Sequence, residues 1–131
     1  MCYPLKMIDD NRLTTSFKRA FEGIWHVVRT QRNARIHLLI AAGVALIGAY
    51  VGLSLLEWAI LALTIGLVLV TEWFNTVTEA VVDLATTEYH PLAKVAKDVA
   101  AGGVLVTAMV AVVVGVLILG PPLLRKVTYL F

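Results

Sequence analysis

This 131-residue chain has a single cysteine, Cys2, which excludes an intramolecular disulfide and any cysteine-based metal cluster. Cys2 itself reads as structurally neutral. Charge is scarce too: Asp, Glu, Lys and Arg make up 15% of the residues against 60% hydrophobic. With a mean hydropathy of +0.85, that balance lies far outside the soluble range and marks an integral membrane protein. Several motifs are missing: the GxxxxGK[ST] phosphate loop, a Gly-rich loop with H-R-D and D-F-G, and the HExxH zinc motif. Their absence excludes the soluble-type nucleotide folds and that zinc site. The three histidines, His26, His37 and His90, are too scattered for a metal site and read as interfacial or hydrogen-bonding residues, with His90 the best functional candidate. Repeats, low-complexity tracts and flexible linkers are lacking as well, so residues 1–131 form one domain. No nucleic-acid partner is expected.

Three apolar stretches are present, about 36–56, 58–71 and 99–119. The last carries no charged residue and suffices for a hydrocarbon core of roughly 30 Å. The expected fold is all-α, with transmembrane helices at about 34–53, 56–86 and 91–119. Ahead of them, Phe17, Phe21, Ile24 and Val28 recur at helical spacing while Lys18, Arg19, Glu22, His26 and Arg29 fall on other faces. That pattern predicts an amphipathic surface helix over 13–31. The first 35 residues are mostly polar or amphipathic rather than signal-like, so the first span is read as an anchor. Lys6, Arg12, Lys18, Arg19, Arg29, Arg32 and Arg35 all precede it. This asymmetry puts the N-terminus in the cytoplasm of a bacterial-type plasma membrane, with Lys94 and Lys97 inside and Arg125 and Lys126 outside. Gly48 and Gly52 have a GxxxG spacing that allows close helix approach. The small residues Ala100, Ala101, Gly102 and Gly103 are expected to press against the second span. Pro91 suits a first helical turn, and Gly120-Pro121-Pro122 is expected to end the last helix.

The second apolar stretch runs directly into Glu72, Asn75, Glu79 and Asp83, whose spacing places all four within an arc of roughly 80° on one helix face. A carboxylate at membrane depth costs roughly 2.5–3.5 kcal/mol on insertion scales. The stripe is therefore either a polar face shown to solvent by a helix that has left the membrane, or a site where the groups converge. Several carboxylates and an amide facing a lysine across a short loop suit a hard divalent cation with a polyphosphate. Mg²⁺ prefers oxygen ligands and is commonly held by one or two carboxylates plus substrate phosphates. A remaining carboxylate can take a proton from a hydroxyl nucleophile, the minimum for phosphoryl transfer by positioning and electrostatics.

The run Glu72-Trp73-Phe74-Asn75-Thr76-Val77-Thr78-Glu79-Ala80-Val81-Val82-Asp83, followed by Glu88-Tyr89-His90-Pro91-Leu92 and Ala96-Lys97-Asp98, closely resembles the prokaryotic diacylglycerol kinase and undecaprenol kinase family. The resemblance includes Asn33-Ala34-Arg35-Ile36-His37 and the surface helix, leaving only the two chain ends unmatched. It implies a homotrimer of three transmembrane helices and one surface helix per subunit, transferring the γ-phosphate of MgATP to a membrane lipid hydroxyl. By motif position Glu72 is the general base and Glu79 a metal ligand that also meets the nucleotide. Asn75 and Asp83 shape the catalytic site. Lys97 and Asp98 hold the nucleotide, with Glu88, Tyr89 and His90 nearby. The form Tyr89-His90-Pro91-Leu92-Ala93 is similar to the undecaprenol kinase branch, with diacylglycerol kinase the alternative. One departure stands out: the family's glutamate two residues before the Asn33 position is Gln31 here, an amide that can coordinate Mg²⁺ without contributing charge. It keeps a catalytically inactive homologue in view, and an ion relay through Glu72 and Glu79 is a further alternative.

Overall fold

The computed structural model describes residues 12–129; Cys2 and Lys6 lie outside that range. Four helices follow one another, α1 (Arg12–Thr30), α2 (Arg32–Val51), α3 (Leu55–Ala85) and α4 (Pro91–Thr128), and among the described residues there is no strand. The last three are long and apolar enough to cross a membrane. α3 and α4 form the most extensive pair, and α2 packs against both. The interior is thin, with Val27, Ala34, Leu61, Val68, Val104 and Leu119 as its buried apolar residues. Leucines and valines are exposed along all three long helices, as befits a protein whose solvent is hydrocarbon.

Local chemistry sets the breaks. Gln31 takes extended backbone angles between α1 and α2; its N–H closes α1 on the Val27 carbonyl at 2.8 Å and its own carbonyl accepts from Arg35. The apolar side of α1, with Leu13, Phe17, Phe21, Ile24 and Trp25, is exposed, the disposition of a helix lying in a membrane interface. α2 stops at Gly52, which adopts φ +76°, the left-handed conformation glycine tolerates at a helix C-terminus. The Gly48 carbonyl accepts from both Gly52 and Leu53. α3 opens with a capping box: Ser54 Oγ accepts from the Glu57 N–H while the Glu57 carboxylate accepts from the Ser54 N–H at 2.7 Å. At the other end of α3, Thr86 Oγ1 braces the turn by accepting from the Glu88 N–H. His90 Nδ1 caps α4 by accepting from the Leu92 N–H at 3.2 Å, and Pro91 occupies the first turn, where no N–H is needed.

Three sequence expectations change. α4 does not end at Gly120-Pro121-Pro122 but continues through both prolines to Thr128. The fixed proline φ is compatible with a helix, and the last turns are tied down when Lys126 Nζ donates to the Tyr50 carbonyl and sits 4.2 Å from the Tyr50 ring centroid. Gly48 and Gly52 do not act together as a helix-packing pair. A Cβ on Gly48 would fall 2.9 Å from the Trp58 indole and from Leu53, so Gly48 admits the first turn of α3, while Gly52 serves the backbone turn. The small-residue patch is not a tight seam in the chain, since a Cβ at Gly102 or Gly103 would meet nothing within 4 Å.

Candidate active site

Glu72 is the largest fully buried side chain among the described residues, 2% exposed, and Asn75 one turn on is 8% exposed. Their burial argues against the reading of a helix showing its polar face to solvent, at least over this first turn of the stripe. Asn75 Nδ2 donates to Glu79 Oε1 at 2.9 Å, which leaves the amide oxygen of Asn75 turned elsewhere. Glu72 Oε2 and Asn75 Oδ1 are both buried without a hydrogen-bond partner, as is Trp73 Nε1. An unsatisfied buried acceptor costs about 1–3 kcal/mol, more when charged. A carboxylate and an amide kept at that cost make this turn the strongest candidate for a site. Both open atoms are hard oxygen donors, the kind that accepts a hydroxyl proton or approaches a cation.

About two helical turns beyond Asn75, at Asp83, the stripe becomes exposed. Lys97 Nζ on α4 pairs with Asp83 Oδ1 on α3 at 2.6 Å, and Lys94 pairs with Asp98 along α4. These groups line a cleft of about 660 Å³ at the α3–α4 turn, together with Thr86, Glu88, Tyr89 and His90. The cleft thus gathers Asp83, Glu88, Tyr89, His90, Lys97 and Asp98 from two helices and their connection, and it places the His90 imidazole as a helix cap as well as a lining group.

A second space, an apolar groove of about 470 Å³, lies among α2, α3 and α4, with His37 at one end and Leu119 and Leu123 at the other. Thr64, Val68 and Leu69 on α3 lead along it toward the Glu72 turn. His37 is within electrostatic range of Glu72. The sequence had assigned His37 no place near the carboxylates; the available signal was a titratable residue less than two turns into a span. The groove had no sequence signal at all, because its aliphatic lining is that of any packed membrane helix.

The chain brings no three His, Cys, Asp or Glu residues together as a metal cluster among the described residues. Any Mg²⁺ held at Glu79 would meet a single carboxylate beside the Asn75 amide, and that donor set fits an ion whose other ligands are phosphates and water. Gln31 is half-buried at the α1–α2 break. Its side chain makes no cap bond, and among the described residues no hydrogen bond joins it to Glu72 or Glu79.

The fold is that of an all-helical, multi-pass membrane protein. The prokaryotic diacylglycerol kinase family matches residues 18–119, and the chain belongs to that family. It is 46% identical over 113 residues to an undecaprenol kinase of Bacillus subtilis, covering 86% of this chain and 92% of the relative. It is also 46% identical over 113 residues to a diacylglycerol kinase of Synechocystis sp., covering 86% and 65% respectively. A diacylglycerol kinase of Helicobacter pylori is 33% identical over 97 residues, covering 69% of this chain and 76% of that protein. Membership makes the chain a kinase, a transferase of lipid metabolism that uses ATP.

Proposed function

We propose that the chain transfers the γ-phosphate of ATP to the hydroxyl of a long-chain isoprenoid alcohol of the undecaprenol type. The carrying observation is the buried, partnerless Glu72 oxygen close to the His37 end of an apolar groove. A lipid tail in the groove would deliver its hydroxyl to a carboxylate already stripped of water. Glu72 then accepts the hydroxyl proton as the oxygen attacks the γ-phosphorus and the bond to the β–γ bridging oxygen breaks, releasing ADP; positioned acid–base groups contribute about 10²–10⁴-fold. Asn75 holds Glu79 through its amide N–H. Glu79, with Gln31 as a neutral second donor, would hold the Mg²⁺ of MgATP, which would supply positive charge to offset that of the phosphates. Lys97 leaves Asp83 to meet phosphate oxygens, and Asp98, Glu88, Tyr89 and His90 form the remaining wall of the nucleotide cleft.

The isoprenoid alcohol is favoured by the loop form Tyr89-His90-Pro91-Leu92-Ala93 and by the relative of that name. Diacylglycerol is the second reading, motivated by an equally similar relative. The active assembly is a homotrimer, with the acidic stripe and the nucleotide cleft on the cytoplasmic side, where the charge asymmetry of the chain puts them. Purified protein supplied with labelled ATP and, in separate micelles, undecaprenol, diacylglycerol or ceramide tests the proposal. Preferential labelling of undecaprenol is the expected result, and preferential labelling of diacylglycerol replaces it with the second reading.

A further inference from the structure

Two polar links cross between α3 and α4, and they bracket the acidic stripe. One is the Asp83–Lys97 ion pair in the cleft. The other is a hydrogen bond of 2.9 Å between Thr71 Oγ1 and Thr107 Oγ1, inside the apolar part of both helices and immediately before Glu72. Along α3 the links are twelve residues apart, about 18 Å at 1.5 Å per residue, and along α4 ten residues, about 15 Å. Glu72, Asn75 and Glu79 all lie between them.

The threonine pair is self-sufficient in lipid. Two hydroxyls carry two protons: one crosses to the partner, and the other returns to a carbonyl of its own helix, for which Thr71 has Leu67 and Val68 within reach and Thr107 has Gly103 and Val104. If one threonine is lost, the survivor turns its proton back to its own helix and no buried donor is stranded. Folding therefore has little need of the crossing bond. Its specific effect is on rotation: pinning Thr71 against Thr107 fixes the azimuth of the next residue, and Glu72 points inward at 2% exposure.

We propose that Thr71 and Thr107 form a positioning pivot for Glu72, holding the α3–α4 register while Lys97 is away from Asp83 on the nucleotide. This rests on the reading of Glu72 as the base. During turnover the ion pair at the cleft opens, and the threonine bond is then the remaining polar link between these helices. A small misplacement of a catalytic group costs up to about 10²-fold in rate, so loosening this pivot acts on kcat rather than on binding.

The test compares Thr71→Val, Thr107→Val, the double valine variant, both single serine variants and Glu72→Gln in one assay. Each valine variant is expected to lower kcat about tenfold while leaving both KM values within about twofold. Serine keeps the hydroxyl and should retain wild-type kcat. The double variant should lose no more than either single one, because all three remove the same bond. Wild-type kcat in both valine variants overturns the pivot, as do multiplicative losses in the double variant. Valine variants that do not fold while the serine variants do would make the pair a folding element and overturn it too. Glu72→Gln separates this from the parent reading: near-full activity there removes the base assignment whatever the threonines do, whereas an inactive Glu72→Gln beside fully active valine variants removes the pivot alone.

Discussion

Lys97 of α4 reaches back across the α3–α4 turn to Asp83 at 2.6 Å, with its side chain 39% exposed and that of Asp83 65% exposed. Ion pairs so open to solvent contribute about 0–1 kcal/mol to stability. The lysine is thus held in the cleft by a partner that a phosphate can displace. It also means that Lys97 can be removed without endangering the fold.

Lys97→Ala is accordingly expected to lose activity by about 10²-fold or more, the scale of removing one donor aimed at developing charge, while stability falls by about 1 kcal/mol or less. ATP titrations and thermal unfolding in the same detergent check both halves. An activity loss matched by an equally large loss of stability would identify Lys97 as a strut between helices instead of a phosphate ligand.

Glu72 and Glu79 differ in burial, and the difference predicts different stability effects. Glu72→Gln keeps the shape of a side chain 2% exposed but removes a charge whose Oε2 has no partner, so unfolding should occur at the same or a higher temperature. Glu79→Gln disturbs the bond from Asn75 and should leave stability unchanged or slightly lower. Both should reduce lipid phosphorylation by about 10²–10⁴-fold. A Glu72→Gln enzyme within tenfold of wild type, with unaltered stability, removes the base assignment.

The stripe was legible because helical period and the cost of charge in hydrocarbon are properties of residue order alone: Glu72, Asn75 and Glu79 share a face whatever surrounds them. The same holds for Pro91 opening α4, since a first-turn proline acts locally; the cap that His90 adds was not read from the sequence. Apart from Lys97 facing the stripe across its short loop, long-range partners were not legible. Nothing in the spacing of Lys126 points to the Tyr50 carbonyl, and that contact accompanies the continuation of α4 past two prolines. Gly48 looked like half of a helix-packing motif until Trp58 proved to lie over it. Nothing in the sequence pairs Thr71 with Thr107, because the crossing bond depends on the rotation of both helices.

With Glu72 as the proposed base, distance along α3 predicts an active site shared between subunits. Glu72 and Asp83 are eleven residues apart, about 16 Å at 1.5 Å per residue, and Lys97 is paired at the Asp83 end. A γ-phosphate in contact with a base at Glu72 is far from the Lys97 of the same chain. Mixing inactive Glu72→Ala subunits with inactive Lys97→Ala subunits should therefore restore part of the activity in the proposed trimer. Verified mixed assemblies with no rescue would mean that both residues serve one subunit's own site.

Gln31 tests the metal assignment most directly. It lies where α1 breaks into α2, with no side-chain cap bond, so its amide is uncommitted to local backbone. A carboxylate there would also face the N-terminus of α2, where negative charge is favoured by about 0.3–1 kcal/mol at exposed sites. Gln31→Glu should therefore fold at least as well as the wild type, and any change in kinetics would report on the site. If Gln31 supplies a neutral oxygen to Mg²⁺, the new carboxylate offers the ion a preferred ligand, and half-maximal activity should be reached at lower Mg²⁺ with ATP held constant. If the second ligand comes from elsewhere, the added charge would stand beside the phosphates without a cation to offset it, raising KM for ATP. Titrating Mg²⁺ at fixed ATP and ATP at fixed free Mg²⁺ separates the outcomes: an unchanged or higher Mg²⁺ requirement excludes Gln31 from the metal site, and a lower one assigns it there.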